Sequence, residues 1–179
     1  GDVYKRQVLD NTGLSYLWNS DLEMVNRSWL KNTIGQKLTD IFRQHWNTEV
    51  NSKSSCTNYR IFKTDLEFEE YLTILNQRDR IRFCRFRCNN SKIPIVTGRY
   101  QGIERDNRIC PLCTNDQLGD EFHYLFQCPS LAEERRVFLK QSYNFRPNTL
   151  KMNHLLNSHK GNELAKLAKF CHCILKKFN

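Results

Sequence analysis

Apolar residues recur at three- and four-residue intervals along most of this chain, the pattern of helices that each bury one face. Leu22, Val25 and Trp29 begin the first stripe, and Ile34, Leu38, Ile41 and His45 continue it, with Gly35 placed to interrupt it. Ser20-x-x-Glu23 has the form of a capping box at its start, and the helical region is expected to end near Val50. A polar link over residues 51–55 follows, and Tyr59-Arg60-Ile61-Phe62 reads as a short extended segment. Thr64-x-x-Glu67 is a second capping box, predicting a helix with Phe68, Tyr71, Leu72 and Leu75 at core spacing.

The helix expected over 78–88 has an unusual wheel. Ile81, Cys84 and Cys88 share one side and Phe83 and Phe86 lie nearly opposite, while Arg78, Arg82 and Arg85 fill one gap and Arg80 and Arg87 the other. That predicts packing on two faces, with some arginines paired to internal carboxylates such as Asp65, Glu67 or Glu70. Each arginine is open to a structural or a phosphate-binding role. Ile93-Pro94-Ile95-Val96 reads as extended, and the glycines of 97–103 permit turns. Ser130-x-x-Glu133, a third capping box, opens a helix with Leu131, Arg135, Val137, Phe138 and Tyr143, broken at Pro147 and Asn148. Leu150, Met152, Leu155 and Leu156 suggest another short helix. Leu164, Leu167, Ala168, Cys171, Ile174, Leu175 and Phe178 form a last amphipathic one, with Lys166, Lys169, Lys176 and Lys177 on its polar side.

Composition sharpens this reading. The chain has 179 residues, 39% of them hydrophobic, enough for one ordinary core or two small ones. No run approaches a membrane-spanning length, in line with a mean hydropathy of −0.68. The formal charge of +9 points to a polyanionic partner. It is concentrated: Arg78, Arg80, Arg82, Arg85, Arg87, Lys92, Arg99, Arg105 and Arg108 crowd one stretch, with only Asp79, Glu104 and Asp106 as acids among them. Arginine dominance favours phosphate forks. Eight cysteines without an apolar leader are expected to be reduced, in a chain located inside the cell, nuclear or cytoplasmic.

The strongest signal is Cys110-x2-Cys113-x9-His123-x4-Cys128. Three thiols and an imidazole make a tetrahedral set for Zn. Two cysteines two residues apart can grip a metal from one tight turn, and Pro111 between them limits the entropy lost on binding. Asp120-Glu121 resembles the acidic first turn of a short helix carrying His123, and Pro129 marks its end. On an ideal helix, positions five apart point about 140° away from each other, so His123 and Cys128 converge only if the helix unwinds before Cys128. Any one of these four residues would by itself read as an ordinary core thiol or histidine; the four together at this spacing read as one metal site.

Four protein ligands leave no coordination position for a reactive water, so the site reads as structural. The nucleobase-deaminase pattern needs His-x-Glu upstream of Pro-Cys-x-x-Cys, whereas here the histidine is downstream. One zinc is the economical count: Cys84 and Cys88 read as buried thiols, and adjacent positions in Cys171-His172-Cys173 diverge by about 100° on a helix. Cys56 has no assigned role. The expected fold is mainly α: a helical domain with an embedded Cys-Cys-His-Cys zinc loop and little or no β-sheet. Residues 1–7 are expected to be a scar or unstructured, 8–76 an N-terminal helical region, 77–145 the arginine-rich helix plus zinc-binding module, and 146–179 C-terminal helices.

Arg85-Phe86-Arg87, Lys92-Ile93-Pro94-Ile95, Gly98-Arg99-Tyr100-Gln101-Gly102-Ile103, Arg105 and Arg108-Ile109-Cys110-Pro111-Leu112-Cys113 lead into Asp120-Glu121-Phe122-His123-Tyr124-Leu125 and Cys128-Pro129. Together they resemble the cysteine-rich segment downstream of the reverse transcriptase in LINE-type (non-LTR) retrotransposon polyproteins. Leu14-Ser15-Tyr16-Leu17-Trp18, Tyr59-Arg60-Ile61-Phe62-Lys63 and Phe68-Glu69-Glu70-Tyr71-Leu72 are similar to that region in marine-invertebrate elements. The resemblance spans roughly Gly13 to Leu139. It implies an accessory domain, working with the reverse transcriptase domain of a parent polyprotein, that contacts template RNA or target DNA. It also implies Cys110, Cys113, His123 and Cys128 as ligands. Neither an aromatic-x-Asp-Asp polymerase signature nor a restriction-like nuclease constellation occurs, so the chain itself is expected not to be an enzyme. Retroviral nucleocapsid knuckles keep four residues between the second cysteine and the histidine; here there are nine, and their base-stacking mode does not transfer. On this reading Arg82, Arg85, Arg99 and Arg108 contact phosphates and Tyr100 stacks on an unpaired base. The rival reading is a zinc-stabilised protein-interaction module or a transposon remnant without function. Burial of the guanidinium groups discriminates between the two binding modes.

Overall fold

The computed structural model describes residues 1–20 and 25–178. They form two compact units, 1–52 and 53–179. The fold is mainly α. Among the described residues the only extended pairing is a single antiparallel bridge between Ile109 and Leu118, and no helix is long and apolar enough to cross a membrane.

In the first unit, α1 (Asp2–Asn11) takes in most of the stretch expected to be scar or unstructured. The Thr12 hydroxyl donates to Val8 O at 2.8 Å and Leu9 O at 3.1 Å. Gly13 then reverses the chain at φ 69°, a conformation that favours glycine. A 3-10 turn, Ser15–Asn19, buries Leu17. Next comes α2 (Arg27–Ser52), opened by Asn26, whose side chain accepts from Trp29 N at 3.0 Å. The expected cap at Ser20-x-x-Glu23 falls partly outside the described residues, as does Leu22; the Ser20 hydroxyl donates to Tyr16 O. Gly35 does not interrupt α2, since one glycine costs a helix interior only about 1 kcal/mol. Trp29, Leu38 and Ile41 of the expected stripe are exposed, as is Phe42 beside them.

The second unit starts with two corrections. Tyr59–Phe62 is a helical turn, α3, not an extended segment. Asn153 and Asn157 hold it by donating to Ile61 O and Phe62 O, each at 2.7 Å. The helix expected from Thr64-x-x-Glu67 does not form. The Thr64 hydroxyl bonds Asp65 instead, and only α4 (Tyr71–Ile74) follows, with Phe68 exposed and Tyr71 and Leu75 buried. Side-chain hydrogen bonds to neighbouring groups compete with a cap in such sequences.

Helix α5 (Gln77–Arg87) forms where expected, capped by Asn76. It buries Phe83 and Phe86 but leaves Ile81 and Cys88 exposed, so it is packed chiefly on one face. Its arginines pair with Asp79 and Glu69 rather than with Asp65, Glu67 or Glu70. Pro94–Tyr100 is α6, not an extended piece. Ile93 supplies the extended residue before the proline, and Pro94 enters at the first helical position, where its missing N–H costs nothing. Burial of Ile93, Ile95 and Val96 overrides the β preference of that sequence.

Ser130 does not cap the next helix either. Its hydroxyl donates to Leu112 O, and α7 (Ala132–Phe138) begins after a 3-10 turn at Pro129–Leu131. A turn, α8 (Gln141–Asn144), is followed by α9 (Thr149–Leu156), capped by Asn148, and by α10 (Gly161–Lys176). Helix α10 packs along α5 and α7, and α9 along α3. The apolar face of α10 supplies Leu164, Leu167, Phe170, Cys171 and Ile174 to the core.

Candidate metal centre

Cys110 and Cys113 sit on a short hairpin. Cys110 N donates to Gln117 O and Gly119 N to Arg108 O, both at 2.8 Å, flanking the Ile109–Leu118 bridge. Leu112 N points at Cys110 Sγ, 3.4 Å away. The hairpin closes onto the core at Gly119. A Cβ there would lie 2.7 Å from Tyr124 Oη and 2.9 Å from Pro94 Cγ. Gly119→Ala therefore forces either the tyrosine or the start of α6 to shift. The expected destabilisation is on the order of 1–3 kcal/mol, with weaker metal binding, measured by thermal melts with and without chelator.

The second pair of ligands comes from an unexpected turn. His123–Gln127 is a π-type turn, with Cys128 N donating to His123 O at 2.8 Å. Because such bonds span five residues, the turn is wider than in an α-helix, which reduces the divergence between positions five apart and brings His123 and Cys128 toward one side. The convergence required of the sequence is met by a turn that widens and then ends at Gln127, leaving Cys128 in a non-helical conformation at φ −57°, ψ 118°, as expected. Asp120 starts the turn, accepting from His123 N at 2.9 Å.

These turns bring Sγ of Cys110, Cys113 and Cys128 and a ring nitrogen of His123 within 4.8 Å of one another. Cys110 Sγ and Cys128 Sγ are 3.9 Å apart, and Cys113 Sγ is 3.5 Å from His123 Nε2. Cys110, His123 and Cys128 are buried and Cys113 is half-buried. The four residues could hold a metal ion. Burial pushes the Cys128 thiol up to about 12 and lowers the His123 imidazole, whose shift Asp120 opposes and Arg135 adds to. A bound cation reverses this preference for the thiol, because it stabilises the thiolate directly.

Several residues that hold the centre carried no sequence signal of that role. Asn58, distant in sequence, donates to Asp120 Oδ2 at 2.9 Å and Glu121 Oε2 at 2.6 Å. Glu121 is wholly enclosed, and that burial pushes its carboxyl up to about 7 against the opposing Asn58 hydrogen bond. Buried Arg135 donates to Leu125 O at 2.8 Å, Cys128 O at 2.9 Å and Tyr124 O at 3.4 Å, fastening the turn from its far side. An arginine directed at three consecutive-turn carbonyls cannot be told from a solvated one by its position in the sequence.

The residues expected to contact nucleic acid divide. Arg85 and Tyr100 are exposed. Arg82 is half-buried and pairs with Asp79 at 3.2 Å. The Arg99 guanidinium lies 4.9 Å from the Tyr100 ring centroid and donates to its hydroxyl. Arg108 turns inward, donating to Ile103 O at 2.8 and 2.9 Å and to Ile95 O at 3.0 Å, with its stem against Gly98. Of the unassigned cysteines, Cys84 and Cys88 are 3.9 Å apart on a partly exposed face, and Cys171 is in the core. No protein-family model, curated protein or solved structure matches the chain.

Proposed function

We propose that this chain is a zinc-stabilised nucleic-acid-binding accessory domain of a LINE-type retrotransposon reverse transcriptase. The observation that carries the reading is the closed set of Cys110, Cys113, His123 and Cys128. With Zn–S near 2.3 Å and Zn–N near 2.0 Å, tetrahedral angles place two sulfurs about 3.8 Å apart and a sulfur and nitrogen about 3.5 Å apart. The separations of 3.9 and 3.5 Å are close to these values, and the set as a whole, within 4.8 Å, would contract slightly around the ion. Zinc here would join the hairpin to the π-type turn. Polymerisation and strand cleavage would belong to other parts of a parent polyprotein.

Nucleic-acid binding is favoured by how the arginines divide. Arg87 and Arg135 are buried and serve the fold, as does Arg108, whereas Arg78, Arg85 and Lys92 are exposed and have no acidic partner among the described residues. Cations left free in this way supply affinity through counterion release. Anisotropy of zinc-loaded protein with single-stranded RNA, single-stranded DNA and duplex DNA over a salt series tests this. Micromolar or tighter binding with a steep log-log slope, weakened by a chelator, is the expected result. Absence of binding at low salt would defeat the proposal. One observation favours the second reading, a protein-interaction module: Leu38, Ile41 and Phe42 stand exposed along α2.

A further inference from the structure

Several cations gather in a cleft whose lining includes none of the four candidate ligands. A cleft of about 460 Å³ runs between α5, the Asn90–Lys92 turn and α10. Arg78, Arg82, Arg85, Lys92, Ser91 and His172 line it. Asp79, the nearest carboxylate, is buried and already paired with Arg82. Ser91 Oγ is buried without a hydrogen-bond partner.

A second cleft, of about 470 Å³, adjoins the first and shares Asn90 with it. Tyr59, Asn89, Arg99 and Tyr100 line this one. Tyr100 is 78% exposed, leaving ring surface free beside the contact with Arg99. Asn89 Oδ1 is buried and unpartnered, while its amide donates to Ser55 O. Asn89 holds φ 53°, which turns the chain sharply between the two clefts. An exposed aromatic ring at the edge of a cleft suits an unpaired base, whose faces are free to stack.

We propose that the two clefts form one binding track for single-stranded nucleic acid, with phosphates seated among Arg78, Arg85 and Lys92 and an unpaired base against Tyr100. The proposal rests on the nucleic-acid reading above and narrows it to single strands and to this face. Duplex is disfavoured because a stacked, paired base has neither a free face nor a free Watson–Crick edge to offer the second cleft.

His172 provides an internal reporter. Burial lowers its pKa, and Arg82, Lys176 and Arg78 lower it further, against Asp79. A phosphate seated in the cleft offsets those cations and raises it. The experiment compares wild type, the triple variant Arg78→Gln/Arg85→Gln/Lys92→Gln and Tyr100→Ala, all zinc-loaded and checked by circular dichroism. Probes are fluorescent ten-residue oligo-U and oligo-dT, a duplex, and a phosphoserine peptide, with the His172 imidazole followed by NMR.

The expected result for the triple variant is roughly tenfold or greater loss of single-strand affinity and a shallower salt slope. Tyr100→Ala is expected to lose about five- to a hundredfold on single strands, and little on duplex. Oligo-U should raise the His172 pKa in wild type and not in the triple variant. Wild-type binding that the triple variant retains would overturn the track while leaving the broader nucleic-acid function intact. If wild type binds no nucleic acid, both fall together. Tighter binding of the phosphopeptide than of either oligonucleotide would overturn this proposal in favour of a protein ligand.

Discussion

His123→Ala is expected to strip the metal and unfold the segment from Cys110 to Leu131, taking much of the second unit's stability with it. Structural zinc contributes apparent binding energies of roughly 10–16 kcal/mol in small domains, and where no site exists in the unfolded chain this is folding energy. Here the hairpin has one bridge and few buried apolar side chains of its own, so little else holds it. His123 opens, and Cys128 directly follows, the π-type turn that buries Tyr124, Leu125 and Phe126, so loss of a bound ion would reach the core. Metal content by mass spectrometry, with a thermal melt, reads the outcome. His123→Cys offers four thiolates and should retain zinc, which separates ligand loss from simple disturbance of the turn. A His123→Ala protein with full zinc content and an unchanged melting transition would refute the ligand assignment.

Arg87→Ala should be the most damaging substitution outside the metal centre. The guanidinium is 3% exposed as a residue, yet it is fully engaged. It donates to Glu69 Oε2 at 2.8 Å and to Leu156 O, and it lies 4.6 Å from the Phe62 ring centroid, with Tyr71 and Phe83 at 5.1 and 5.4 Å. Lys63 shares Glu69 from the other side at 2.7 Å. One cation thus joins α3, α4, α5 and the end of α9. Removing one partner of a buried ion pair costs about 3–5 kcal/mol, because the remaining groups stay desolvated. Thermal midpoint should fall by on the order of 10 °C. Arg87→Lys should recover only part of this, since an ammonium cannot fork to both acceptors. Arg85→Ala, one turn-fraction away on the exposed side, should change stability by no more than about 0.5 kcal/mol. Equal stability for the Arg87 and Arg85 variants would show that the buried cation holds nothing together.

That contrast shows where reading the chain alone stops. Alternation of apolar positions located α5, α9 and α10, because those helices bury a continuous stripe against one partner surface. It misplaced the segments whose conformation is set by distant contacts. Tyr59–Phe62 has β-forming residues but is pinned by Asn153 and Asn157, some ninety positions later. Ile93–Val96 looks extended but turns helical once Pro94 can occupy a first turn and its neighbours find the core. The capping boxes at Thr64 and Ser130 misled for a related reason: serine and threonine hydroxyls bond whichever carbonyl or carboxylate packing presents.

The metal centre divides along the same line. Spacing alone named Cys110, Cys113, His123 and Cys128, because ligand chemistry demands particular atoms at short range and few other patterns meet that demand. Sequence also determined the helical class and the location of the charge. Tertiary structure decided how His123 and Cys128 converge, through a π-type turn that Asp120 and Arg135 hold. It decided too which arginines serve the fold and which face outward, placing Arg87, Arg108 and Arg135 inside and Arg78 and Arg85 outside. A guanidinium carries the same charge in either place. Only the carbonyls, carboxylates and rings that packing brings around it determine whether its donors are satisfied within the protein or remain for a partner.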